Sequence, residues 1–122
     1  MTRRIQCTYE LKIQPGKADE IRQIARDMVA FNAEGEPNTV VYNVYMSPDE
    51  THFTFLETWA DADACLFHGE RFVGGSFVGE VLARTDGGRL CLYGPVSQEI
   101  HDWASEVGLE FEHWDFIAGF TR

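Results

Sequence analysis

Basic side chains are scarce in this chain: ten Lys and Arg stand against twenty Asp and Glu, a formal net charge of −10. Such a field repels phosphate backbones and anionic headgroups, so neither nucleic acid nor a membrane surface is an expected partner. Long apolar runs are missing, and none approaches the roughly 20 residues of a membrane span. Cysteine is limited to Cys7, Cys65 and Cys91, an odd number without zinc or disulfide spacing. Buried thiols in a reducing cytoplasm are therefore expected. Four prolines and no low-complexity stretch argue against disorder. Gly74-Gly75 falls between predicted helices rather than after a strand, so no dinucleotide or phosphate loop is indicated. Four scattered histidines suggest no metal site, and no Ser–His–Asp or Cys–His set stands out.

What is present is well patterned. Hydrophobic residues make up 44% of 122, enough for one domain with a core. Residues 4–13 alternate, with Ile5, Cys7, Tyr9, Leu11 and Ile13 on one face, the mark of a strand buried on one side. After Pro15-Gly16 the period becomes helical over 17–34: Ile21, Ile24, Ala25 and Met28 form a stripe that Phe31 extends, and Gly35 follows. Strands at 38–46 and 51–59 flank the turn Ser47-Pro48-Asp49-Glu50. Asp61 can cap a helix from 62 to about 72, and Ser76 a further helix. Asp86-Gly87-Gly88 reads as a turn before a short strand at 89–93; Ser97 caps a helix that Gly108 stops, and an aromatic tail covers 109–120. Strand, helix, strand, strand, helix, strand predicts an α+β, ferredoxin-like sandwich with helices on one face of an antiparallel sheet. Its other face then needs a cover, and a second subunit is the economical one.

Residues 37–68 concentrate the chemistry. Val41, Asn43 and Tyr45 are expected to share a sheet face with Phe53, Phe55, Glu57 and Trp59, while Tyr42 packs against a helix. Glu57, on an otherwise apolar face, must be paired or wet. It either lines a cavity, accepting a substrate hydroxyl or orienting His68, or makes a structural ion pair. Trp59 either stacks on a planar ligand or fills the core. His68 shares a helix face with Cys65 and Phe72 and points inward, as a proton-transfer residue or a core histidine. Asn43 and Tyr45 are candidates for binding substrate oxygens. His52, His101 and His113 suit structural, surface or interface roles.

The run Pro37-Asn38-Thr39-Val40-Val41-Tyr42, the strand end Phe55-Leu56-Glu57-Thr58-Trp59, the helix with Asp61, Ala64 and His68, and the entry Pro15-Gly16-Lys17-Ala18-Asp19-Glu20 resemble the antibiotic biosynthesis monooxygenase (ABM) family over about residues 5–93. The resemblance implies a domain at 1–93 with a C-terminal extension at 94–122, packed on its own domain or on a partner. It implies a homodimeric α+β barrel with a cavity in each subunit. It also implies oxidation of a quinol or phenol by O2 with no cofactor, with His68 and Glu57 catalytic and Phe53, Phe55 and Trp59 holding the ring. An isomerase or lyase using the same pair, or a small-molecule binding protein, are the alternatives. The haem-degrading branch of the family carries an asparagine on its first strand, and residues 4–13 contain none.

Overall fold

The alternating N-terminal segment becomes the central strand of the sheet. In the computed structural model, which describes residues 2–122, β1 (Ile5–Ile13) is followed by α1 (Ala18–Gly35), β2 (Thr39–Met46), β3 (His52–Trp59), α2 (Ala62–Gly74), α3 (Phe77–Leu82), β4 (Thr85–Tyr93), α4 (Gln98–Glu106) and β5 (Glu112–Trp114). The strand order is β2-β3-β1-β4-β5. β1 pairs antiparallel with β3 and β4, and β2 antiparallel with β3. The first four strands and their helices make the expected ferredoxin-like α+β sandwich.

Three details differ from the sequence expectation. The sheet is mixed, because β5 joins β4 in parallel. A parallel neighbour needs a crossover, and α4 supplies it by carrying the chain back across the sheet. Arg89 on β4 forks onto Glu112 of β5 and holds the added strand. Second, Asp86-Gly87-Gly88 lies inside β4, where Leu11 pairs with Gly88 but Ile13 with Thr85. Asp86 and Gly87 thus oppose Lys12 alone, a bulge, with Gly87 at φ 92°. A Cβ on Gly88 would lie 2.6 Å from the Glu10 carbonyl oxygen, so glycine is required there by close approach. Third, Phe31 does not extend the α1 stripe. Ile21, Ile24, Met28 and Asn32 are buried, whereas Phe31 is half exposed beneath the Arg71 guanidinium, 4.1 Å from its ring centre.

Helix ends follow local chemistry. The Ala64 N–H donates to Asp61 Oδ1 at 2.9 Å and starts α2; the Ile100 N–H donates to Ser97 Oγ at 3.3 Å and starts α4. Ser76 makes no side-chain cap.

The helices cover one face of the sheet. Leu11, Ile21, Phe53, Phe55 and Val81 form one core cluster; Ile5, Cys7, Trp59, Cys65, Leu92 and Ile100 form another under α2 and α4. The opposite face holds Gln6, Thr8 and Glu10 beside Thr58, Leu56 and Thr54, and leaves Val41, Tyr45, Leu56 and Tyr93 exposed. No helix among the described residues is long and apolar enough to cross a membrane.

Candidate active site

Sheet alternation places Glu57 on the helix-facing side between Phe55 and Trp59, all three buried. Cross-strand pairing sets Cys7 on one side of it and Tyr42 on the other. The helical period of α2 turns Cys65 and His68 inward onto that strand. His68 Nε2 lies 3.0 Å from Glu57 Oε1, and His68 Nδ1 lies 2.8 Å from Glu36 Oε1. The Trp59 and Tyr42 rings pack against the imidazole, with centroids 5.3 and 5.7 Å away.

Glu36 is the buried acid that sequence reading did not single out. It is the residue after α1, and its backbone N–H donates to the Asn32 carbonyl at 2.9 Å, which fixes the helix end. Its Oε1 also accepts from the Thr39 hydroxyl at 2.8 Å, and its Oε2 accepts from Arg71 Nε at 3.0 Å. Arg71 follows His68 by three residues and so shares its helix face. Gly35 has a second task beyond helix termination: a Cβ there would overlap the Arg71 guanidinium. The one available signal for Glu36 was an acid between a helix end and a proline, in the run Gly35-Glu36-Pro37, with no basic neighbour in sequence.

Two carboxylates, one imidazole and one guanidinium are thus gathered in a buried group. With the imidazole protonated, the four formal charges cancel. With a carboxylate oxygen close to each ring nitrogen, at 2.8 and 3.0 Å, the charged imidazolium is the favoured form. Burial on its own would lower the His68 pKa; the Glu57 charge, 3.0 Å away, and the hydrogen bond to Glu36 overcome burial and hold it at about 10. Burial likewise works to raise Glu36, and its bonds from His68, Thr39 and Arg71 outweigh that and bring it below the usual carboxylate range. Cys65 is pushed up to about 12, by burial first and then the Glu57 charge, and Cys7 is raised for the same two reasons. Both thiols stay protonated, and the Cys7 Sγ–H points at Glu57 Oε2 from 3.7 Å.

These shifts set a pH dependence of stability. The raised His68 pKa contributes in full below its unfolded value of 6.5 and is lost as pH climbs through about 10. The lowered Glu36 pKa contributes in full above 4.5 and is lost as pH falls through its folded value. The pair therefore stabilises most between pH 4.5 and 6.5. Urea denaturation across pH should show stability falling from neutrality toward alkaline pH, and a His68→Gln variant should lack most of that slope. Parallel alkaline curves for the two proteins would contradict this.

Two buried polar atoms in this region have no hydrogen-bond partner: Glu57 Oε1 and Trp59 Nε1. The His68 contact to Glu57 Oε1 is at ion-pair distance but outside hydrogen-bond alignment, so that oxygen keeps its acceptor capacity. Glu57 and Trp59 both line a small cavity of about 70 Å³, with His68, Phe72, Trp103 and Phe111 among its other walls. The cavity has an orphan acceptor and an orphan donor in its lining and is otherwise mostly apolar. Among the described residues no group of three or more His, Cys, Asp or Glu side chains is arranged to hold a metal ion.

Of the residues singled out from sequence, His68, Glu57 and Trp59 come together here. Asn43 and Tyr45 do not. They pair with Leu56 and Thr54 on the open face, whereas Tyr42, Val44 and Met46 pair with Glu57, Phe55 and Phe53. The shared-face expectation fails because the hairpin register matches even positions of β2 with odd positions of β3. Phe53 and Phe55 are core residues of the other cluster. Asn43, Tyr45 and Phe53 instead border a shallow groove of about 690 Å³ between α1 and β2, which contains neither His68 nor Glu57. The residues missed are Glu36, Arg71, Tyr42 and Trp103.

Strand order and cavity position define a ferredoxin-like α+β domain with its site between sheet and helices. Within that class the chain belongs to the antibiotic biosynthesis monooxygenase family, whose model matches residues 5–71, a span that contains Glu36, Glu57, Trp59, His68 and Arg71. No curated protein sequence matches the chain. Among solved structures, MupZ from Pseudomonas fluorescens is similar over 99% of this chain and 96% of its own, with TM-score 0.82 at 15% identity. An antibiotic biosynthesis monooxygenase covers 76% of this chain and 99% of its own, with TM-score 0.65 at 22% identity. A candidate of the same kind from Caulobacter crescentus CB15 covers 75% and 88%, with TM-score 0.61 at 26% identity. The MupZ likeness extends through α4 and β5, at an identity that speaks for fold alone.

Proposed function

We propose that the protein is a monooxygenase that oxidises a small phenolic or quinol-type aromatic with O2, and that Glu57, rather than His68, accepts the substrate proton. The observation that carries this reading is the orphan pair. A hydroxyl is both donor and acceptor: it can give its proton to Glu57 Oε1 and accept from the Trp59 Nε1–H; neither atom has a hydrogen-bond partner, and Glu57 Oε1 has only the ion-pair contact from His68. His68 cannot act first as a base, because an imidazolium has no lone pair to offer. Its role is to hold the Glu57 carboxylate and to keep a positive charge beside the phenolate as it forms. Glu36 and Arg71 are positioning residues, since they act on His68.

The phenolate passes an electron to O2, and the resulting radical pair joins a ring carbon to oxygen. Loss of the ring-carbon proton and cleavage of the O–O bond then leave a ring carbonyl and water. One oxygen atom enters the product and the other leaves as water, which carries the two protons released; all four electrons come from the substrate. The apolar walls, with Leu90, Leu92 and Ile100, suit dioxygen and an aromatic edge. Oxygen uptake over a phenol and quinol panel, against spontaneous blanks, tests this. Enzyme-dependent uptake with one water formed per oxygen consumed supports it. Turnover that continues without oxygen would replace it with an isomerase using the same carboxylate.

We further propose a homodimer through the open sheet face, supported by the exposed Val41, Tyr45, Leu56 and Tyr93. Light scattering at micromolar concentration should give twice the 13.9 kDa chain mass. A single-chain mass would contradict it.

A further inference from the structure

At about 70 Å³ the cavity beside Glu57 holds roughly two waters, well short of the ~150 Å³ void that takes up benzene. The hydroxyl and the adjoining edge of a phenol fit; the rest of the ring must lie toward the outer wall. One wall therefore decides what ring can follow the hydroxyl. The sheet supplies the inner wall through Cys7, Glu57, Trp59 and Leu92, all 6% exposed or less and fixed by strand pairing. α2 supplies a second wall with His68, Gly69 and Phe72, and the outer wall comes from α4 and the segment after it, which lie beyond the span the family model matches.

On α4, Ile100 and Ala104 are buried at 2% each and pack into the core, whereas Trp103 is only partly buried. Its indole thus has one side on the cavity and part of its surface in solvent. It rests on Gly69, the residue after His68: a Cβ there would lie 2.6 Å from Trp103 Cη2 and 2.9 Å from Cζ3. Only bare backbone lets the ring sit so close to α2. Gly69 therefore sets how deep Trp103 goes, and Trp103 sets how long the cavity is.

We propose that Trp103 is the specificity-determining residue of this site, its indole limiting the length of ring that can reach Glu57 and Trp59. Only the class of ligand in this inference rests on the phenolic reading. The size limit itself is a matter of volume.

The test measures saturable binding of benzene, phenol and 1-naphthol to the full-length wild type and to Trp103→Ala, by calorimetry. Trp103→Leu serves as a second variant that keeps apolar packing if the alanine protein does not fold. The expected result is 1-naphthol and phenol binding at least about tenfold tighter to the variants than to wild type, the scale at which a filled pocket discriminates ring size. Phenol should also be preferred to benzene, and Glu57→Gln in the Trp103→Ala background should remove that preference. Equal gains for benzene and phenol would support the size limit while contradicting the phenolic reading. Affinities and size ranking unchanged between wild type and both variants would overturn the role of Trp103, even if phenol is bound.

Discussion

Glu57→Gln should reduce oxygen-dependent turnover of a phenolic substrate by about 10²–10⁴-fold, the usual contribution of a positioned general base. Glutamine keeps the shape of the side chain and an oxygen acceptor for His68, but it cannot take a proton at neutral pH. The variant also removes one negative charge from a balanced group of four, so the His68 pKa should drop from about 10 toward its ordinary value. A partly neutral imidazole should then rescue some activity at alkaline pH, and the pH–rate profile should move with it. Steady-state oxygen uptake, with thermal melting to verify folding, reads all of this. Wild-type rates in Glu57→Gln would remove Glu57 from the chemistry.

His68→Ala should be the most destabilising single substitution at the site. It leaves Glu36 and Glu57, 4% and 6% exposed, without the cation between them. Removing one partner of a buried pair typically costs about 3–5 kcal/mol, because the remaining charge stays buried and uncompensated. Arg71 still holds Glu36 Oε2, so the larger part of the loss should come from Glu57. A cycle with Glu36→Gln separates the terms, and a coupling of about 0.5–3 kcal/mol is expected for groups in one network. Urea denaturation at pH 6 measures it. A loss within about 0.5 kcal/mol, the range of an ordinary surface change, would contradict the buried imidazolium.

Much of the fold was legible because its signals are local. The alternation of β1 and the stripe Ile21, Ile24, Met28 report period alone, and Asp61 and Ser97 announce helix starts through their own side chains. The site was legible only in part. That His68 points inward follows from its spacing to Cys65, but its partner Glu36 lies 32 residues away and is delivered by the α1–β2 connection. Alternation within β2 and β3 correctly groups residues of each strand, but which groups share a face depends on the turn. The five residues from Ser47 to Thr51 bring Met46 opposite Phe53, and that single register choice puts Asn43 and Tyr45 outside. β5 is three residues long, too short for any period to show. Gly35 reads in sequence only as a helix end, yet it makes room for Arg71, and Gly69 likewise makes room for Trp103. Space of that kind is a tertiary property.

The chemistry of the site depends on where one proton resides. The ¹⁵N resonances of the His68 ring, followed by NMR over pH, locate it directly. The expected result is a ring protonated at both nitrogens at about pH 8, titrating only near pH 10, with the transition moved down in Glu57→Gln. A ring that loses its proton near 6.5 and is unaffected by Glu57→Gln would return the role of base to His68 and contradict the assignment of Glu57.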